Sequence, residues 1–156
     1  MSKEADRQKK WIWTMSVVLY VGFIFHNSMT PAIESSRQSG QVLIMVLEAV
    51  ESMGLDSGWI TEYFVRKMAH FGEYALLGLG LSMTLRLYAL SAGVRRSVHA
   101  WLGLMIPFAD ETIQLFVEGR SGQISDVWLD MAGIFAGSLA VMTGLWLRQT
   151  RRQGRE

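Results

Sequence analysis

The sequence has no cysteine among its 156 residues, which excludes disulfide bonds and thiol chemistry. It also lacks a nucleophile motif, the closely spaced histidines of a zinc site and a glycine-rich phosphate loop. No internal repeat marks a second domain, so we expect residues 1–156 to form one domain. Hydrophobic residues make up 50% of the chain, and this composition agrees with the integral membrane protein that the lengths of the apolar runs predict.

Four stretches of the chain are predicted to cross a membrane. A membrane-spanning helix needs about 20 mostly apolar residues, and residues 11–29, 68–90, 98–117 and 127–147 meet this requirement. The first stretch follows basic residues, as a secretory signal does, but no small-x-small cleavage site comes after it. The predicted fold is therefore an all-α polytopic membrane protein with four transmembrane helices.

The segment between the first two spans has two parts. Residues 31–40 are polar and rich in serine, which predicts a loop. Residues 41–53 are apolar apart from acids three residues apart and are too short to span. They predict an amphipathic helix in the outer membrane interface, or alternatively a lid packed over the helix bundle.

The basic residues are distributed unevenly across the predicted membrane. Eleven of the 15 lysines and arginines lie on the side that holds both termini. They are Lys3, Arg7, Lys9, Lys10, Arg86, Arg95, Arg96, Arg148, Arg151, Arg152 and Arg155. Because lysine and arginine accumulate in cytoplasmic loops, we predict that both termini are cytoplasmic in a bacterial inner membrane. Most acidic residues lie towards the other, outer side.

A set of polar residues interrupts or closely flanks the apolar stretches, always at their outer ends. The set comprises Lys67, His70, Glu73, Asp110, Glu111, Gln114, Arg120, Asp126 and Asp130. An ionisable group at membrane depth costs about 2.5–3.5 kcal/mol on insertion scales, so such groups indicate a functional site. The acids outnumber the bases, and the excess negative charge implies a bound cation, water access or raised pKa values. A purely structural salt-bridge network around Lys67 and Arg120 is the alternative.

The last span has a face of acids and small residues. Asp126, Asp130, Gly133, Gly137, Ala140 and Gly144 recur at steps of four and three residues, which places them on one side of a helix. Small residues allow helices to approach closely in membranes. We therefore predict that this face packs against a neighbouring helix and directs both aspartates into the bundle.

Three separated motifs occur in order along the chain. They are Lys67-x-x-His70-Phe71-x-Glu73-Tyr74, Asp110-Glu111-x-x-Gln114-x-Phe116-x-x-Gly119-Arg120, and Asp126 followed by Gly133-x-x-x-Gly137. This set resembles the hallmark motifs of VanZ-like membrane proteins. Two positions differ from that pattern: Asp130 stands where such proteins often have asparagine, and Glu118 where they often have proline. The resemblance implies a membrane protein associated with low-level teicoplanin resistance, without an established reaction.

Three kinds of function fit these residues. The first is a non-catalytic envelope protein whose outward site binds a lipid-linked wall precursor or the glycopeptide; Lys67, Gln114, Arg120, Asp126 and Asp130 would hold the ligand. We expect membrane lipid as a further partner, and no nucleic acid.

The second is an enzyme acting on a lipid-linked or phosphate-bearing substrate. Its catalytic residues would be His70, Glu73, Asp110 and Glu111. His70 paired with Glu73 would transfer protons, and Asp126 with Asp130 would hold Mg²⁺ or another divalent cation.

The third kind of function is a small transporter or flippase. Four spans without an inverted repeat disfavour it, as does the small number of polar residues in the inner halves of the spans, counted as Ser82, Thr84 and Thr143.

Overall fold

The computed structural model describes residues 3–153, and this part of the chain is built from helices without a strand. The helices are α1 (Lys3–Ser28), α2 (Ala32–Ser52), α3 (Glu62–Arg86), α4 (Ala92–Gln114) and α5 (Ile124–Gln153). The all-α prediction is confirmed for these residues. Arg155, one of the basic residues counted on the predicted cytoplasmic side, lies outside the described residues.

Two of the long helices begin at side-chain caps. The hydroxyl of Thr61 accepts a hydrogen bond from the backbone N–H of Phe64 at 3.2 Å, and Ser91 accepts one from Val94 at 3.3 Å. Such caps satisfy backbone donors that the first turn of a helix leaves without partners. The starts of α3 and α4 are therefore encoded locally.

Helices α1, α3, α4 and α5 alternate in direction. At one end, which we call the polar end, Ser28 at the close of α1 contacts Asp110 near the close of α4, and Lys67 near the start of α3 pairs with Asp126 at the start of α5. At the opposite end, the hydroxyl of Thr14 lies 2.7 Å from that of Tyr88. Each of these helices thus runs from one end of the bundle to the other.

Close backbone contact joins α3 to α5. A Cβ atom added at Gly133 would meet the carbonyl of Phe71, and one at Gly137 would overlap the carbonyl of Ala75. A Cβ at Gly78 would overlap the backbone of α5 in the same way. The predicted packed face is therefore confirmed at Gly133 and Gly137.

The packed face of α5 does not extend to Ala140 or Gly144, which the spacing predicts to lie on it. Apart from its chain neighbours and the adjacent backbone of α5, no atom of the described chain lies within 4 Å of a Cβ built at Gly144, and both residues are exposed. The core beside the glycine contacts consists of Ile24, Tyr74, Leu77, Leu81 and Ile134. These side chains lie nearer the polar end than Gly144 does, so the close packing covers only part of the helix.

The serine-rich segment is helical, so the loop predicted for residues 31–40 is wrong. Pro31 stands between α1 and α2, with φ −56° and ψ 150°, and the two helices bend by 107° across the break. Proline has no N–H to donate and is well tolerated where a helix begins. Arg37 then donates two hydrogen bonds to Glu34, three residues earlier, at 2.9 and 2.6 Å. These local pairs stabilise the polar turns of α2.

The predicted helix over residues 41–53 corresponds to the second half of α2, which ends at Ser52. No residue within α2 is buried, although the helix contacts α3. It thus lies along the outside of the bundle.

By length and composition, α5 is the one described helix that could cross a membrane by itself, and α1 with α2 meets the same test as a bent pair. Only 33% of the most apolar stretch of α5 is buried, whereas the core helix of a soluble protein is mostly buried. The ionisable residues of α3 and α4 make these helices less apolar.

Candidate functional site

A polar cavity opens between the helices at the polar end of the bundle. Its volume is about 140 Å³. The lining comprises Ala32, Ser35, Tyr63, Arg66, Lys67, His70, Gln114, Gly119, Arg120, Ser121, Gln123 and Asp126. Three of these residues are lysine or arginine and one is an acid, so the lining carries a net positive charge with His70 neutral.

The cavity rim holds two ion pairs of different character. Lys67 donates to the Asp126 carboxylate, and both side chains are only 17% exposed. The Lys67 ammonium also lies 5.1 Å from the centre of the Tyr63 ring. Arg66 lies 3.9 Å from Glu62, and both of these side chains are more exposed. Lys67 is therefore fixed by its partners, whereas Arg66 is available to a ligand.

Arg120 binds the end of α1. Its Nη1 atom donates to the backbone carbonyls of Asn27 and Ser28 at 3.2 Å and to that of Thr30 at 3.4 Å. The last carbonyls of a helix have no intrahelical partner and carry partial negative charge. Burial lowers the pKa of the guanidinium, and nearby carboxylates oppose this effect. Arg120 remains charged and closes the junction between α1 and α2.

Two site acids hold α1 against its neighbours. Glu73 accepts a hydrogen bond from the side-chain amide of Asn27 at 3.0 Å. Asp110, which is fully buried, accepts one from the hydroxyl of Ser28 at 2.5 Å and one from Gln114 at 3.3 Å. Both acids are thereby connected to the last turn of α1.

Glu111 connects α4 to the start of α5. One carboxylate oxygen accepts from the backbone N–H of Gln123 at 2.8 Å, and the other accepts from Gln114 at 3.0 Å. Gln123 directly precedes α5, where a negative charge is favourable next to free N–H groups. Glu111 therefore positions the loop that carries Arg120, and with it the start of α5, where Asp126 lies.

A second cluster, His70, Asp110 and Asp130, lies at the inner side of the cavity. One nitrogen of His70 and one oxygen of each aspartate lie within 4.8 Å of one another. The Nδ1 atom of His70 is 4.0 Å from Asp130. Within residues 3–153, neither this nitrogen nor either carboxylate oxygen of Asp130 has a hydrogen-bond partner.

Two pairings predicted from the sequence have different partners in the structure. His70 was paired with Glu73, but Glu73 bonds to α1 and His70 faces α5. Residues three apart on a helix point about 60° apart, which is enough to reach different neighbours. Asp126 was paired with Asp130 as a cation site, but Asp126 takes Lys67 as its partner.

Several polar residues of the site went unrecognised in the sequence analysis. Asn27, Ser28 and Arg66 contribute contacts or charge, and in the sequence they lie at span ends. Towards the opposite end, Nε2 of His99 lies 3.1 Å from the hydroxyl of Ser82 and 3.0 Å from that of Ser138. The count of polar residues in the inner halves of the spans therefore omitted His99 and Ser138.

These features define a helical bundle with a polar site at one end, in which a positively charged cavity lies beside buried acids. The chain belongs to the VanZ/LLP1 family, whose model matches residues 12–147. The matched range covers α3, α4 and the site residues, as well as most of α1 and α5. Proteins of this family are typically membrane-associated and are linked with glycopeptide resistance. No curated protein and no solved structure matches the chain.

Proposed function

We propose that this VanZ-like protein crosses the bacterial cytoplasmic membrane four times, through α1, α3, α4 and α5, with both termini in the cytoplasm. These helices have 23 to 30 residues, or about 34–45 Å at 1.5 Å per residue. A hydrocarbon core is about 30 Å thick. Their alternating directions also suit a four-pass topology.

Exposed apolar side chains support a lipid-facing surface. Leu19 on α1 is 72% exposed, Trp101 on α4 67% and Phe135 on α5 69%. Soluble monomers rarely expose apolar patches larger than a few hundred Å². In a membrane these side chains would contact lipid tails.

The polar cavity, on the outer side in this topology, binds the anionic headgroup of a lipid-linked cell-envelope component. The observation that carries this proposal is the positive lining of Arg66, Lys67 and Arg120 against the single acid Asp126. Arginine and lysine are the usual partners of phosphate oxygens. A cavity of about 140 Å³ accommodates a phosphate-sized group, while the lipid chain lies along the apolar surface.

Binding at this site contributes to teicoplanin-type resistance. Glycopeptides act on wall precursors at the outer face of the membrane, and a protein that holds the precursor or the drug there reduces productive drug binding. The family assignment supports this role. Teicoplanin itself is the alternative ligand, and its binding is measured alongside that of the lipid.

The test uses the purified full chain in lipid nanodiscs. Binding of a polyprenyl diphosphate is compared with that of the neutral polyprenol, with teicoplanin as a third arm. We expect the charged lipid to bind at least about tenfold more tightly than the neutral one, a difference of about 1.4 kcal/mol. Equal binding of the two lipids contradicts a headgroup site.

Charge reversal of Arg66 identifies the cavity as the place of binding. Arg66→Glu should weaken binding of the diphosphate more than Arg66→Gln does, because repulsion is added to the lost contact. Arg37→Glu is the matched control, because Arg37 is exposed and bonded to Glu34 on α2 rather than lining the cavity. Equal losses in Arg66→Glu and Arg37→Glu contradict the assignment.

An enzyme acting on a lipid-linked substrate is the second candidate. It is favoured by the cluster of His70, Asp110 and Asp130 directly beside the cavity, since buried carboxylates near a histidine are typical of acid–base sites. Incubation of the nanodisc protein with the diphosphate lipid, followed by mass analysis, tests this function. Release of phosphate that depends on His70 supports catalysis, and unchanged lipid supports binding alone.

A further inference from the structure

We propose that His70, Asp110 and Asp130 bind a divalent transition-metal ion, such as Zn²⁺ or Mn²⁺. The cluster brings together residues from α3, α4 and α5 that are 20 to 60 positions apart in the sequence. This site does not depend on which headgroup or drug the cavity holds.

The first observation that indicates a missing ligand concerns the surroundings of Asp130. Its side chain is 0% exposed, yet within the described chain both carboxylate oxygens lack a hydrogen-bond partner. A buried polar group without a partner is unfavourable, and a buried charge more so. Protonation removes the charge, but neither carboxyl oxygen has a hydrogen-bond partner in the described chain. A cation bound to the carboxylate removes both costs.

The second observation concerns the Nδ1 atom of His70. This atom also lacks a hydrogen-bond partner among the described residues, and at 4.0 Å from Asp130 it is too far for a direct hydrogen bond. Two ligand atoms of one tetrahedral zinc ion lie about 3.4 Å apart. Side-chain rotations that move the three ligand atoms by about 1 Å would bring them to distances of roughly 2.0–2.2 Å from one metal ion.

The third ligand, Asp110, is held in place by other residues. Ser28 and Gln114 donate hydrogen bonds to its two oxygens, which is the arrangement that orients metal-binding carboxylates. Each oxygen keeps a further lone pair for a cation. Two carboxylates neutralise a divalent ion, and an imidazole nitrogen favours a transition metal over Mg²⁺ or Ca²⁺.

The cluster is accessible from the polar cavity through His70. His70 lines this cavity and is 17% exposed, whereas both aspartates are buried. Three protein ligands leave at least one position open towards the cavity. Such an open position is typical of metal sites that bind water or an exogenous ligand.

The experiment is a titration of the full chain, purified in detergent and stripped of metal with a chelator, with Zn²⁺ and separately with Mn²⁺. Calorimetry measures stoichiometry and affinity, and thermal unfolding measures stabilisation. We expect one ion of at least one of these metals per chain and a higher Tm with that metal. Absence of stoichiometric binding of both metals overturns the proposal.

Three variants locate the ion. Asp130→Asn and His70→Gln should each weaken the affinity by at least about tenfold, the lower end of what loss of a ligand-orienting contact costs. Glu48→Gln is the control, because this acid is exposed on α2 and belongs to neither the cavity lining nor the cluster. It should bind metal as the wild type does.

Each variant is first compared with the wild type by size-exclusion chromatography and by its Tm without metal. If Asp130→Asn does not fold, His70→Gln decides the outcome, since His70 is partly exposed. Weakening by Glu48→Gln equal to that of the cluster variants indicates an adventitious surface ion and overturns the proposal. Lipid binding without metal binding overturns the metal site alone, while metal binding without lipid binding contradicts only the proposed function.

Discussion

Replacement of Arg120 by alanine should destabilise the junction between α1 and α2. The Nη1 atom of Arg120 donates to three carbonyls at the end of α1, at 3.2 to 3.4 Å. Alanine leaves these partly buried acceptors without a donor. Arg120→Lys should retain part of the effect, because an ammonium supplies charge without the planar guanidinium geometry.

The expected magnitude follows from these contacts. A hydrogen bond to a charged group contributes about 1.5–3 kcal/mol, and a cation at a helix C-terminus adds about 0.3–1 kcal/mol. Because the three carbonyls share one nitrogen, we count their contacts together as about one hydrogen bond. The free energy of unfolding should therefore fall by about 2–3 kcal/mol, which lowers the Tm of a chain of this size by roughly 5–10 °C.

Thermal unfolding of the purified protein in detergent measures this loss. Arg66→Ala is the matched control, because Arg66 lines the same cavity but has only the distant partner Glu62 at 3.9 Å. An exposed pair of this kind contributes about 0–1 kcal/mol. A Tm for Arg120→Ala that is no lower than that of Arg66→Ala refutes the capping role.

Three further predictions concern packing, the rim and topology. Gly137→Leu should lower the free energy of unfolding by about 1–3 kcal/mol, because the leucine side chain would meet the Ala75 carbonyl. Gly144→Leu should leave the free energy of unfolding unchanged, because a side chain there meets no neighbouring helix. Equal Tm values for the two variants contradict the packed face. Lys67→Asp and Asp126→Lys should each lower the Tm, and the double exchange should recover part of the loss; no recovery contradicts a direct pair. Reporter fusions should place residues 93 and 152 in the cytoplasm and residues 40 and 122 outside, and an external residue 152 contradicts the proposed topology.

The helical framework and its packed face follow from short-range patterns in the sequence. The spacing of Asp130, Gly133 and Gly137 predicts one helix face, and the backbone contacts at both glycines confirm it. Gly144 fits the same spacing but is exposed, because periodicity gives the face of a helix and not how far along it a neighbour extends. The loop prediction for residues 31–40 failed because polar composition does not distinguish a loop from a solvent-facing helix stabilised by local pairs such as Glu34 with Arg37.

Which residues belong to the site is easier to predict from the sequence than which of them contact each other. Lys67, His70 and Asp126 were recognised as polar residues at span ends, and they do line one cavity. Which acid faces which base depends on helix rotations and on loops such as residues 115–123, which spacing within one helix does not specify. Arg120 shows this most clearly, because its partners are backbone carbonyls, and these carry no sequence signal.

The proposed function requires that the positive charge of the polar cavity acts in the cell envelope. Teicoplanin susceptibility of cells producing wild type, Arg66→Glu or Arg37→Glu at equal membrane abundance tests it most directly. We expect Arg66→Glu to lose the protection that the wild type confers and Arg37→Glu to keep it. Full protection by Arg66→Glu, or equal loss in both variants, would contradict a role for the cavity.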